Sequence, residues 1–81
     1  MKIRADFYSQ LREVVGTASA EIDLGEDATV ADLLAKLYAK FPGLRAHDKT
    51  VLLGAGVEFV DRSYKLKPDE EIAVMPPVQG G

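Results

Sequence analysis

The sequence has no cysteine and a single histidine, His47. Without cysteine there can be no disulfide, no thiolate zinc site and no cysteine nucleophile. A chain of this kind suits a reducing cytoplasm. His47 lies in a polar stretch and reads as a solvated loop residue rather than a general base. Long apolar runs are missing too. The longest, Val51 to Val57 with its glycines, falls far short of the about 20 residues that cross a bilayer. Met1-Lys2-Ile3-Arg4-Ala5-Asp6 enters a strand pattern directly, with no apolar segment of signal-peptide length. A soluble cytoplasmic protein is expected. No basic run occurs either. Ten Lys and Arg are scattered among thirteen Asp and Glu, for a net charge of -3. That balance repels a phosphate backbone and disfavours nucleic-acid binding.

What is present is the composition of one folded domain: 81 residues, 47% hydrophobic and 28% charged. A chain this short buries only about 60% of the surface its unfolded form exposes. It has room for one sheet and one main helix, and little for a buried active site.

Lys2 to Tyr8 alternates, with Ile3, Ala5 and Phe7 on one face and Lys2, Arg4, Asp6 and Tyr8 on the other, which is the period of a half-buried strand. Ser9 to Val15 reads as a short helix with Ser9 as N-cap, Gly16 as stop, and Leu11, Val14 and Val15 on one side. Ala20, Ile22 and Leu24 mark a second strand, closed by the turn Gly25-Glu26-Asp27. Thr29 to Asp32 has capping-box spacing, with Asp in place of the preferred Glu or Gln. Val30, Leu33, Leu34, Leu37, Tyr38 and Phe41 then form one apolar helical stripe, ended by Pro42-Gly43. Leu44 to Thr50 reads as polar linker. Val51 to Leu53 is a short strand, Gly54-Ala55-Gly56 a turn, and Val57 to Val60 its hairpin partner. Asp61 to Pro68 is connecting chain tethered by Tyr64 and Leu66. Ile72 to Met75 is the last strand, stopped by Pro76-Pro77. A right-handed crossover places that strand parallel to the first. The predicted class is α+β of the β-grasp type: a mixed sheet of about five strands with one main helix on one face. Residues 1–75 form the domain and 76–81 a flexible tail.

No conventional catalytic site is visible. Glu26-Asp27 and Asp69-Glu70-Glu71 are turn and surface charge without a ligand spacing. Gly54-Ala55-Gly56 lacks the third glycine and the following helix of a dinucleotide loop. Ser9, Ser19 and Ser63 have no base nearby in sequence. Catalysis by this chain alone is not expected.

The last residues are more informative: Met75-Pro76-Pro77-Val78-Gln79-Gly80-Gly81. Two prolines end the strand and bias the exit toward extended geometry. Pro76 to Gly81 reaches at most about 20 Å. Gly80 and Gly81 have no Cβ, so the tip can enter a channel too narrow for other residues. Such an arm would deliver its terminal carboxylate to another protein's active site. Strand alternation also puts Tyr8 and Met75 on the face opposite the core, near the tail exit. Arg12 adds a charge, and Phe59 joins them if it is not core. Aromatic, Met and Arg residues are the types enriched at interfaces.

A β-grasp order ending in Pro-Pro-Val-X-Gly-Gly resembles the MoaD group of ubiquitin-like sulfur carriers, the small subunit of molybdopterin synthase. The resemblance covers nearly the whole chain. Phe7-Tyr8-Ser9-Gln10-Leu11-Arg12-Glu13 matches the family's opening, and Asp69-Glu70-Glu71-Ile72-Ala73 resembles its turn and last strand. Gly56 departs from it, standing where members commonly carry Asn. The resemblance implies that an E1-like adenylyltransferase (MoeB type) uses ATP to adenylate the Gly81 carboxylate. A sulfurtransferase then supplies sulfur, leaving a Gly81 thiocarboxylate. Val78, Gln79, Gly80 and Gly81 would insert into the large synthase subunit (MoaE type), where sulfur builds the molybdopterin dithiolene. Tyr8, Arg12, Phe59 and Met75 fall at family contact positions. The chain itself would bind no cofactor or metal. Other readings are a sulfur carrier for thiamin or tRNA thiolation, a ubiquitin-like modifier joined to lysines through Gly81, and a plain interaction domain.

Overall fold

The computed structural model describes residues 1–77. In chain order it contains β1 (Lys2–Phe7), α1 (Gln10–Val15), β2 (Ser19–Asp23), α2 (Val30–Lys40), a 3-10 helix (Pro42–His47), β3 (Leu52–Ala55), β4 (Glu58–Val60) and β5 (Glu71–Met75). The strands form one sheet in the order β2-β1-β5-β3-β4. β1 and β5 pair in parallel, and the other neighbours are antiparallel. The five-stranded mixed sheet and the parallel pairing of first and last strands agree with the sequence pattern.

Alternation builds the core. Ile3, Ala5 and Phe7 from β1 and Ile72 and Val74 from β5 face α2, which contributes Val30, Leu33, Leu34 and Leu37. Burying each such large aliphatic side chain stabilises by about 1.5–3 kcal/mol. Phe7 also meets Phe41 edge to face, with ring centroids 5.7 Å apart. No polar or charged residue is buried among the described residues. α2 starts as its spacing predicts. The Asp32 carboxylate accepts from the Thr29 N–H at 2.9 Å and from its hydroxyl at 3.2 Å, so the shorter acid serves the capping box.

Four local readings need correction. Residues 42–47 are not linker but a 3-10 helix with Pro at its start and Leu44 buried. One apolar anchor leaves no periodic signal, so the segment looks polar on paper. Gly54 and Ala55 belong to β3, and the hairpin loop is Gly56-Val57 with Gly56 at φ 62. Positive φ at the first loop position suits a two-residue hairpin. Val14 is exposed, not on the buried side of α1. Ser9 holds the N-cap position of α1 without its side chain capping it. The turn expected around Asp69-Glu70 is present: Lys67 to Glu70 closes through the Glu70 N–H to the Lys67 carbonyl, with Asp69 at φ 63. Pro68 followed by a positive φ is the pattern of a type II turn, where Gly is the usual third residue.

Candidate functional site

The face of the sheet away from α2 is graded across successive rows. The first row is charged: Glu21, Arg4 and Glu71 lie side by side in register. The second runs Ser19, Asp6, Ala73, Gly54, Phe59. The third is apolar. Met75 faces Leu52, and Tyr8 follows one step beyond the Phe7–Val74 pair, its N–H donating to the Val74 carbonyl at 3.1 Å. Charge therefore gives way to apolar surface toward the end of β5. The Arg4 guanidinium donates to Asp6 at 2.8 Å, which closes the charged end upon itself.

A shallow depression of about 300 Å³ next to this end is lined by Tyr8, Gly54, Gly56, Val57, Glu58, Phe59, Ala73 and Met75, with Glu58 its one charged residue. Tyr8 is 45% exposed and Phe59 68%. Both values are high for aromatic side chains, and Phe59 is thereby settled as surface rather than core. Small residues make the floor. A Cβ on Gly54 would stand 3.1 Å from the Met75 methyl and 3.7 Å from the Ala73 Cβ. Met75 thus lies in space that any side chain at position 54 would claim. Sequence reasoning missed Gly54, Ala73 and Val57. The one signal for Gly54 is its lack of a side chain, which in sequence reads equally as a turn.

The structure brings Tyr8, Phe59 and Met75 together, from just past β1, from the middle of β4 and from the end of β5. Arg12 does not line the depression; it is exposed on α1 and its Nε donates to the Phe7 carbonyl at 3.3 Å. Pro76 and Pro77 follow Met75 directly, at the apolar end of the face. Proline has no N–H to extend the ladder, so pairing stops there. Val78, Gln79, Gly80 and Gly81, with most of the proposed tail, lie outside the described residues.

The remaining candidates have structural explanations. The His47 carbonyl accepts from the Val51 N–H at 2.9 Å and helps close the 3-10 segment. Among the described residues, no group of three or more His, Cys, Asp or Glu is arranged to hold a metal ion. Likewise, no described helix is long and apolar enough to cross a membrane. Asp48 ties the far side together, accepting from the Tyr38 hydroxyl at 2.6 Å and from Arg62 Nη1 at 2.8 Å. Those two bonds hold the Asp48 carboxyl below its ordinary range. Burial, helped by the bond to Asp48, pushes the Tyr38 hydroxyl up to about 12.

Known proteins match along the whole chain. A molybdopterin synthase sulfur carrier subunit from Chlamydomonas reinhardtii is 35% identical over 83 residues, covering 100% of both chains. Small archaeal modifier protein 3 from Haloferax volcanii is 32% identical over 92 residues, again covering 100% of both. Among solved structures, SAMP1 from Haloferax volcanii superposes with a TM-score of 0.86 at 24% identity, over 100% of both chains. A complex of subunits 1 and 2 of the molybdopterin-converting factor from Helicobacter pylori contains a chain with a TM-score of 0.73 at 23% identity, over 100% of both. These superpositions establish the ubiquitin-like β-grasp fold. The ThiS family model matches residues 6–81. That span includes the apolar end of the sheet face and the Gly-Gly residues of the sequence, and the chain belongs to the ThiS family.

Proposed function

We propose that this protein is the sulfur-carrying small subunit of a molybdopterin synthase, acting in the cytoplasm through a thiocarboxylate at Gly81. The observation that carries this reading is an adjacency. The apolar row of the open face lies at the end of β5, where Pro76-Pro77 leads toward Gly80-Gly81. A partner that covers Tyr8, Phe59 and Met75 therefore sits where the described chain leaves the sheet at Pro76-Pro77, four residues before the terminal glycine of the sequence. The full-length similarity to a molybdopterin synthase sulfur carrier subunit supports the same reading.

The chemistry then follows from what a carboxylate lacks. It is a poor electrophile, so an E1-like adenylyltransferase joins it to the α-phosphate of ATP and releases pyrophosphate. The acyl–AMP bond has a good leaving group. The terminal sulfur of a sulfurtransferase persulfide displaces AMP to give an acyl disulfide, and a second thiol attacks the sulfurtransferase's own sulfur and releases the thiocarboxylate, a softer nucleophile than the carboxylate. The large synthase subunit supplies the substrate pocket and catalytic side chains, and sulfur passes into the dithiolene of molybdopterin. This chain contributes the docking face, the narrow arm and the sulfur-bearing group. It binds neither the ATP nor a metal in this scheme.

A second reading has its own support. The similarity to small archaeal modifier protein 3 fits a modifier joined to target lysines through Gly81. Because the sequence has no cysteine, one experiment separates the two. The full chain is co-expressed with an E1-like adenylyltransferase and a sulfurtransferase, treated with a thiol-alkylating reagent, and analysed by intact and tandem mass spectrometry. Carrier function predicts an alkyl label at Gly81 that is lost when Gly81 is deleted. An adenylated chain that takes no label, together with high-mass conjugates in the lysate, would assign it to protein modification.

A further inference from the structure

The depression beside Phe59 and Met75 does not end at its own rim. It shares Tyr8, Gly54, Gly56 and Ala73 with a second depression of about 410 Å³, whose other lining residues are Asp6, Asp69, Glu70 and Glu71. Together they form one trough across the open face. One end is largely apolar and the other acidic, and no Lys or Arg lines either part. Gly54 and Ala73 pair in register and make the floor between the ends, where no side chain is longer than a methyl group. Tyr8 stands beside both halves.

The acidic end is only partly satisfied by its own chain. Glu70 is committed, accepting from the Tyr64 hydroxyl at 2.6 Å and from the Lys67 N–H at 2.9 Å. Arg4 donates to Asp6 Oδ1 at 2.8 Å from the charged row beyond, and its guanidinium also interacts with Glu71. It offsets one of the four acidic residues. Among the described residues, neither Glu71 nor Asp69 has an ion-pair partner.

Few occupants fit both ends. A Leu or Phe side chain would cover the acidic end and leave its charges without a partner. A second copy of this chain would bring the same acidic excess to the face. A lysine ammonium would meet the charge, but it is a compact point, whereas a planar guanidinium both stacks on an aromatic ring and bonds two carboxylates at once. We infer that the large synthase subunit lays an arginine side chain in this trough, its stem across Gly54 and Ala73 and its guanidinium between Tyr8 and the Asp6 and Glu71 carboxylates. This rests on the docking reading above and names the chemistry of the partner's contact.

The test uses the full-length chain and its cognate large subunit, with affinity measured by calorimetry and stability by thermal unfolding. The double substitution Asp6→Asn, Glu71→Gln should bind roughly tenfold more weakly at low salt, the effect of a charged hydrogen-bonded pair. The gap should narrow at high salt. Glu71→Gln alone, at an exposed position, should unfold like the parent and show part of the same loss. Glu21→Gln removes a charge of the same sign from the row of Arg4 and Glu71 but outside the trough, and should bind like the parent. Phenylglyoxal labelling of the large subunit, read by mass spectrometry, should find an arginine that the parent chain protects and that the double variant, at saturating concentration, leaves reactive. Parent-like binding by the double variant, an equal loss from Glu21→Gln, or the absence of any such arginine would each overturn the assignment. If Phe59→Ala also binds like the parent, the docking face itself is misplaced; if Phe59→Ala binds weakly while the double variant does not, only the arginine contact falls.

Discussion

The two faces of one sheet are built from the same strands and obey different rules. On the helix side, Ile3, Ala5, Phe7, Ile72 and Val74 are at most 1% exposed. On the other side, the residues between them run from paired charges to exposed aromatics over a floor of Gly54 and Ala73. The helix side is closed against its own chain, while no other described element covers the open side. In β5 the division is made residue by residue, Ile72 and Val74 inward, Ala73 and Met75 outward. On the proposed docking reading, stability and recognition are encoded in alternate letters of the same five-residue strand, and a substitution should disturb one without the other.

The largest test of that separation is a cavity on the closed side. Leu37→Ala should cost about 2–5 kcal/mol, a large part of the stability of a small domain, which stands near the lower end of about 5–15 kcal/mol. Urea unfolding measures it, and the folded fraction should still bind its partner. Next comes Phe59→Ala on the open side. It should weaken binding to the large subunit by about tenfold or more, as loss of an aromatic anchor does. Its unfolding midpoint should stay within about 0.5 kcal/mol of the parent. A Phe59→Ala chain that unfolds as easily as Leu37→Ala would erase the distinction between the faces.

A smaller effect sharpens the contrast through pH. Tyr38 sits on the closed side, its hydroxyl raised first by burial and then by the bond to Asp48, to about 12. The raised value means that the folded state holds the phenolic proton more tightly. This contribution is complete below pH 10, the ordinary tyrosine value, and is lost as pH rises from 10 toward 12. Asp48 works in the other direction. Held low by Tyr38 and then Arg62, it stabilises fully above its ordinary value of 3.8 and loses that contribution as pH falls through its lower native value. Tyr38→Phe should flatten part of the alkaline loss in unfolding midpoints while leaving partner affinity at neutral pH unchanged. The smallest expected effect is Asp69→Gly. The position has φ 63 in a turn that favours glycine, so the change should stabilise by a few tenths to about 1 kcal/mol. Thermal unfolding would detect it.

Strong periodicity made much of this legible in the sequence. β1 alternates over its full length, and α2 carries a continuous stripe, so both their existence and their inward faces could be read directly. The parallel pairing of β1 with β5 followed from the crossover rule. Phe59 resisted because its direction depends on the loop before it. Only when Gly56-Val57 is seen to be the whole loop does Phe59 fall opposite Gly54, on the open face. Gly54 was misread for a related reason. A missing side chain marks both a turn and a place where neighbours need room, and the second meaning appears only once Met75 is seen lying over it. The 3-10 segment stayed hidden because Leu44 alone anchors it. Ser9 reads as a cap because residue type suggests that role, yet its side chain makes no capping bond.

The central position of β5 also bears on how the protein is made. β5 is the last strand in the chain, yet it lies between the β1–β2 pair and the β3–β4 hairpin. Before it arrives, those two halves share no strand ladder. Pairings between distant parts of a chain are the slow events in folding, so the insertion of β5 should be the step that commits the molecule. Tyr8 belongs to one half and Phe59 to the other, and only the strand carrying Met75 makes them neighbours. A partner that grips all three is inspecting a finished product, because an incomplete or misassembled chain cannot present the grip.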